Sequence, residues 1–321
     1  MTGWQPHDPY STGQPQPWPA GVPAGGYLPP PQLGQPGADP LVSLDFNGWW
    51  QRGIMIVRRG WRPLAAVQAA GVLLTLLVQA PPAIYLVLTA DDLERTFTTT
   101  DTPVAADFAP LLGVLGLTVL ATLLGVVVSA VITLAVVHIG VSAALGAPQR
   151  VNDALKLAAR RVLPLIGWQL LAIPLYVVAV CFCVLPVFYV MAVFAVLPAV
   201  VAVERTNAFS RCFTLFHRDF GASAARIGTV IGLLIATGVV GGLLGGLAEA
   251  AINAAVPGTG GLVAGAVVAT LVGALLGGAA AVLVAPLTLT AYADMRARTE
   301  PVNALVIAQE LGIAAPASQP W

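Results

Sequence analysis

The chain has 321 residues, 57% of them hydrophobic and only 9% charged, with 15 basic and 15 acidic side chains and a net charge of zero. Its mean hydropathy is +0.84. Soluble domains carry about 25% charged residues, so the composition excludes an ordinary water-soluble domain, and the zero net charge gives no reason to expect a nucleic-acid partner. An integral membrane protein remains. Backbone polar groups in lipid must be paired within the chain, so its spans are helices or a closed barrel. Leu-, Val- and Ala-rich runs without strict alternation select helices.

Residues 1–40 contain eleven prolines and seven glycines, and no Lys or Arg precedes Arg52. Such a segment buries too little apolar surface to offset the entropy of ordering. It is expected to be a disordered, Pro/Gly-rich cytoplasmic tail. A signal peptide would start with a basic region, and this segment does not. Trp4, Tyr10, Trp18 and Tyr27 make it a candidate docking segment for a protein partner.

The membrane domain is expected over 41–303. It opens with a predicted amphipathic helix in which Phe46, Trp50, Ile54, Val57 and Trp61 recur at helical spacing, with Asn47, Gln51, Arg58 and Arg62 on the adjacent face. Trp and Arg at the boundary place it at the membrane surface. Hydrophobic runs follow at 63–89, 109–137, 162–203, 227–250 and 262–292. The third would reach roughly 63 Å at 1.5 Å per residue, about twice the hydrocarbon thickness. It is therefore divided into spans 162–182 and 184–203, with a turn near Cys183–Pro186, giving six spans. Residues 304–321 are left as a short C-terminal tail.

Basic residues support this count. Fourteen of the fifteen fall in four clusters, at 52–62, 150–161, 205–226 and 296–298, and only Arg95 lies in the acidic stretch between the first two spans. The positive-inside rule puts the four clusters on one side, in the cytoplasm. An even number of spans must separate 150–161 from 205–226, and both termini are then cytoplasmic. The basic segments at 47–64, 152–165 and 207–227 each precede a pair of spans, as a loose threefold repeat. In the third, Phe209, Phe213, Phe216 and Phe220 share one face. The expected fold is an all-α integral membrane protein with six transmembrane helices and three cytoplasmic interfacial amphipathic helices, in the cell membrane.

Catalytic signals are weak. The chain has no phosphate-binding loop, no H-E-x-x-H and no G-x-S-x-G. Cys181, Cys183 and Cys212 lack metal-ligand spacing. His138 is read as a half-wet residue at the cytoplasmic interface. No charge falls at the middle of any span, where a proton- or ion-coupled pump would need one. No catalytic residue, metal or cofactor is therefore expected, and the protein is not expected to be an enzyme.

Two sets of residues are candidates for interaction. Arg58, Arg59, Arg62, Arg160, Arg161, Arg211, Arg218, Arg296 and Arg298 are positioned to meet the head groups of anionic phospholipids in the bilayer, each at about 1 kcal/mol. Gly238, Gly242 and Gly246 recur every fourth residue, as do Gly241 and Gly245, Gly261 and Gly265, and Gly273 and Gly277, and these glycines are candidates for close helix packing. The stretch Tyr292-Ala-Asp-Met-Arg-Ala-Arg-Thr-Glu300 closes the last span with four charges. Asp294/Arg298 and Arg296/Glu300 stand at i, i+4, where exposed pairs contribute about 0.2–0.5 kcal/mol.

Three stretches carry a family resemblance. "FNGWWQRGIMIVRRGWRPL", "VFYVMAVFAVLPAVVAVERTNAFSRCFTLFHRDF" and "APLTLTAYADMRARTEP" resemble the bacterial membrane domain of the glycerophosphoryl diester phosphodiesterase family. The matching positions include Val203, Glu204, Arg211, Leu215, Tyr292, Asp294, Arg296, Arg298 and Glu300. The likeness covers roughly 42–303. It implies a membrane module without the catalytic domain, because the phosphodiesterase reaction belongs to a separate TIM barrel with metal ligands that this chain lacks. The expected role is a non-enzymatic envelope scaffold or partner-binding module. The alternative is a transport component for a lipid or hydrophobic small molecule.

Overall fold

The computed structural model describes residues 39–43, 45–98, 108–182 and 184–314. Residues 1–38 of the expected N-terminal tail, Cys183 and the acidic residues Asp101 and Asp107 lie outside them, while Asp39 and Pro40, assigned to that tail from the sequence, lie within. Among the described residues ten α-helices follow one another: α1 (Phe46–Leu88), α2 (Ala90–Thr98), α3 (Ala109–Ala144), α4 (Val151–Cys181), α5 (Val184–Phe194), α6 (Leu197–Val203), α7 (Ala208–Arg218), α8 (Phe220–Ala255), α9 (Thr259–Ala297) and α10 (Ala304–Glu310). No strand occurs among the described residues. Among the described residues six helices are long and apolar enough to cross a membrane, with α5 and α6 together forming the fourth over Leu185–Val203. The molecule is a multi-pass α-helical membrane protein.

Five helices, α1, α3, α4, α8 and α9, are longer than their hydrophobic runs. At 1.5 Å per residue, the 43 residues of α1 extend about 65 Å and the 39 residues of α9 about 58 Å, against about 30 Å of hydrocarbon. The first two predicted interfacial helices are therefore not separate elements. Residues 46–62 continue into the first span despite Pro63, and 151–161 are the first turns of α4. Pro63 has no N–H for the Arg59 carbonyl. Gln149 supplies a donor in its place at 3.5 Å. The third predicted helix is separate: α7 ends at Asp219, whose carboxylate caps α8 by accepting from the Ala222 N–H at 3.2 Å.

The turn predicted near residue 183 joins α4 to α5. A further break at Ala195–Val196 divides the fourth span, where Pro198 enters the first turn of α6 and so lacks the N–H a continuous helix needs. At the opposite end of the next hairpin, Gly258 adopts φ 94° and turns the chain from α8 into α9, a conformation that favours glycine.

The core sits at one end of the bundle. Every residue from Leu134 to Ala144 of α3 is buried, as are Leu287 and all of Leu289–Arg296 in α9. α1 enters this core along Trp49, Gly53, Ile56, Gly60, Leu64, Val67 and Gly71, while Phe46 and Trp61 of its predicted apolar face stay exposed. The helix thus has two apolar faces, and the glycine-bearing one packs inward. α10, in the segment set apart from the sequence as a tail, closes this end with Ala304, Ile307 and Ala308 buried. Toward the other end, large side chains such as Leu73, Leu77, Leu112, Leu115, Leu243 and Leu247 point outward, as lipid-covered helices require.

α8 and α9 pack along small residues, on one of the two glycine rows that the spacing marks on α8. A methyl built on Gly245 would lie 3.1 Å from the Ala269 carbonyl oxygen, and one on Gly241 would lie 3.7 Å from Gly273 Cα. Gly273 is thus a wall of this contact. Methyls on Gly238, Gly242, Gly246, Gly273 and Gly277 themselves would meet nothing within 4 Å. The four-residue spacing marks two rows on α8, and of these Gly241/Gly245 faces α9 while Gly238/Gly242/Gly246 does not.

Candidate functional site: a buried ion network at the basic end

The last two turns of α9 carry Tyr292, Asp294 and Arg296 into the core, at 0%, 1% and 6% exposure. Charged groups at such depth are costly unless paired and hydrogen-bonded. Residues four apart share a helix face, so Tyr292, Arg296 and Glu300 project together, while Asp294 looks elsewhere.

On the first face, the Tyr292 hydroxyl donates to Glu204 Oε1 at 2.8 Å. Arg296 donates from Nη1 to the Tyr292 oxygen at 3.3 Å and from Nε to Glu300 Oε1 at 2.5 Å. Its two terminal nitrogens hold the Glu310 carboxylate in a fork, at 2.5 and 2.8 Å. Arg211 of α7 bridges the other side, donating from Nε to Glu204 Oε2 and from Nη2 to Glu300 Oε1, both at 2.6 Å. Two arginines and three glutamates thus tie the end of α6, α7, the end of α9 and α10 into one knot. Such forked, charge-assisted bonds are the strong ones.

On the second face, Asp294 pairs with Arg226 of α8 at 3.0 Å. The Ser43 N–H donates to Asp294 Oδ1. Arg226 also donates to the carbonyls of Ser43 and Asp45, each at 3.3 Å, and to that of Ala222 at 3.2 Å. The segment 39–45 is consequently stitched to α8 and α9 by its backbone. Asp39 accepts from the Ala304 N–H at 2.9 Å, and Leu41 is fully buried beside it. Asp45 caps α1 by accepting from the Gly48 N–H at 2.8 Å, and this bond, with that from Ser43, holds its carboxyl below the usual aspartate value. A third pair, Arg298 with Asp219, fixes the α7–α8 break, and Arg218 Nε donates to the Arg298 carbonyl at 3.4 Å.

Burial pushes the Glu300 carboxyl up, but the hydrogen bond and charge of Arg296, then those of Arg211, outweigh it and hold the group below its ordinary value. Burial, then the charge of Glu204, pushes the Cys212 thiol up to about 12, so it stays protonated and is a poor nucleophile. Among the described residues no group of three His, Cys, Asp or Glu side chains is placed to hold a metal ion. His138 is 8% exposed on α3 and not half-wet, because every residue from Leu134 to Ala144 around it is buried.

Of the arginines singled out from the sequence, Arg58, Arg59, Arg62, Arg160 and Arg218 are exposed. Arg161 is half-buried, and Arg62 lies over the Trp61 ring at 5.5 Å. Arg211, Arg296 and Arg298 instead bind carboxylates of the chain itself. The Arg296–Glu300 pair expected from i, i+4 spacing is formed, but inside the protein. Arg226, Glu310 and Asp219 carried no signal of their own, since each meets its partner across the fold. The aromatic row of α7 packs inward as well, with Phe209 against Trp168 and Phe194, at ring separations of 5.4 and 4.6 Å.

No protein-family model, curated protein or solved structure matches the chain. The fold and site define its class as a six-span helical membrane protein with an ion-paired base.

Proposed function

We propose that the protein is a non-enzymatic scaffold or partner-binding module of the cell membrane, with both termini and the ion-paired base on the cytoplasmic side. The observation that carries this reading is the network itself. The charges at the end of α9 are directed at other elements of the chain, and they join α6, α7, α8, α10 and the segment 39–45. A base cross-braced in this way presents a fixed surface and a fixed exit for the N-terminal segment. The positions that carry the resemblance to the membrane domain of the phosphodiesterase family, Glu204, Arg211, Tyr292, Asp294, Arg296, Arg298 and Glu300, are the ones that meet there. That convergence supports reading them as the signature of a membrane module without the catalytic domain.

The N-terminal segment is the proposed contact for a protein partner, and the exposed arginines are the proposed contact for anionic lipid. The test is crosslinking in native membranes with the full chain and with a chain lacking residues 1–38. Discrete adducts that depend on those residues are expected. Identical adducts in both chains would overturn the partner reading.

One observation favours the alternative, carriage of a lipid or hydrophobic molecule. Leu76, Ala80, Ala83 and Ile84 of α1 face Ala266, Val267, Thr270 and Leu271 of α9 across an apolar recess of about 130 Å³. Sites that enclose small-molecule ligands are about 300–1,000 Å³, so the recess is sized for part of a chain. Accelerated lipid movement in proteoliposomes would favour this alternative.

A further inference from the structure

We infer that the seam between α1 and α3 holds the polar end of an uncharged lipid alcohol, such as a diacylglycerol, with the Gln79 amide as its main contact. Four close approaches trace this seam outward from the base. Methyls built on Gly60 and Gly71 of α1 would lie 3.0 Å from Ala143 Cβ and 3.0 Å from Ile132 Cγ1 of α3. Methyls built on Gly125 and Gly113 of α3 would lie 3.6 Å from Gln79 Nε2 and 2.6 Å from Tyr85 Oη of α1. The antiparallel pair thus puts a primary amide and a phenol on its contact line, each half-buried.

This part of the seam stands at lipid depth. Leu73 and Leu77 near Gln79 point outward, as do Leu123, Leu124 and Val127 around Gly125. No Asp, Glu, Lys or Arg occurs from 63 to 90 or from 108 to 149. The Gln79 amide nevertheless makes no hydrogen bond among the described residues, and neither does the Tyr85 hydroxyl. On α3, Thr118 and Ser129 share the helical face of Gly125, and their hydroxyls are exposed and likewise unbonded among the described residues. On a soluble protein water would hydrate such groups. Hydrocarbon cannot, and an amide left unpaired there is costly.

The chemistry of these groups selects the ligand. An amide offers two donors and an acceptor, and a hydroxyl offers both kinds. No charge stands nearby to balance an ion, so the ligand is neutral. Its polar end must reach hydrocarbon depth, which a phosphate head group does not. A free hydroxyl beside an ester carbonyl meets these conditions: the hydroxyl donates to Gln79 Oε1, the carbonyl accepts from Nε2, and the chains continue along the exposed leucines. A further transmembrane helix fits less well, because α3 already covers this side of α1 and only a slender group enters the crease between them. The recess between α1 and α9 lies on another face of α1. A lipid bound at Gln79 requires no transport and leaves the scaffold reading as it stands.

The experiment is native mass spectrometry of the delipidated full chain titrated with dioleoylglycerol or with its O-methyl ether, which lacks the donor. It is run on the wild type, on Gln79→Leu, and on Thr237→Val as a control at a polar position of α8, where the hydroxyl bonds the Leu233 carbonyl. The wild type is expected to retain one dioleoylglycerol in preference to the ether by about tenfold, the effect of one hydrogen bond. Gln79→Leu is expected to lose that preference, and the control to keep it. Equal retention of the two lipids by the wild type would overturn the proposal whatever the variants do. So would an undiminished preference in Gln79→Leu, or its equal loss in the control. A dimer of the delipidated wild type that Gln79→Leu converts to monomer would overturn the lipid assignment in favour of a second copy of the chain.

Discussion

Replacing Asp294 by Asn tests the physical account of the base most directly. The substitution keeps shape and leaves a carbonyl that accepts from the Ser43 N–H, but it removes the charge facing Arg226. Both side chains are nearly inaccessible, at 3% for Arg226 and 1% for Asp294, and 3.0 Å apart. Removing one member of a buried pair costs about 3–5 kcal/mol, because the other charge is left uncompensated. Arg226 keeps its contacts to the carbonyls of Ser43, Asp45 and Ala222, which places the expected loss near the lower end, about 3 kcal/mol.

Arg226→Met combined with Asp294→Asn removes both charges and should recover to within about 1 kcal/mol of wild type, since buried ion pairs replaced as a unit are often neutral. The assay is reversible unfolding in mixed micelles with increasing sodium dodecyl sulfate, read by circular dichroism. The two single variants and the double variant form a cycle whose coupling energy isolates the pair. A loss below about 0.5 kcal/mol for Asp294→Asn, the behaviour of an exposed pair, would refute the reasoning. A double variant equal to the sum of the singles would refute it too.

Three further outcomes are expected. Gly245→Leu should destabilise by about 1–3 kcal/mol, as overpacking does, because its first carbon already meets Ala269 at 3.1 Å. Gly242→Ala, facing open space, should be neutral or stabilise by about 0.4–1 kcal/mol; the reverse order in detergent melting would displace the packing row. Glu300 has a depressed carboxyl, so its contribution is present above the ordinary value of 4.5 and lost as pH falls through the lowered one. Thermal midpoints taken from pH 7 to 3 should show an acid limb that Glu300→Gln flattens, and an unchanged limb would remove Glu300 as its source. Reporter fusions should be extracytoplasmic at Thr99 and cytoplasmic at Gln149, and the opposite pattern would invert the topology.

Much of the architecture was legible in the sequence. The length of the 162–203 run, set against bilayer thickness, placed the turn near residue 183. The clustering of basic residues required the same even count of spans. These are local properties of composition, and a bilayer converts them into geometry with little help from tertiary contacts. Helix ends were less legible. Pro63 reads as a stop, but Gln149, 86 residues later, takes the carbonyl that the proline leaves free.

The candidate site shows the same division. The stretch from Tyr292 to Glu300 looked like the place where the last span meets water, with two exposed ion pairs. Its chemistry and helical phase were readable, and the Arg296–Glu300 pair follows from them. Its depth was not. Whether those charges face water or the core depends on Glu204, Arg211, Arg226 and Glu310, which arrive from α6, α7, α8 and α10. Ion pairing acts over a few ångströms and is blind to sequence separation. Composition and periodicity therefore determined a six-span membrane protein, and only the packing of its basic end decided that the charged stretch is a buried clasp.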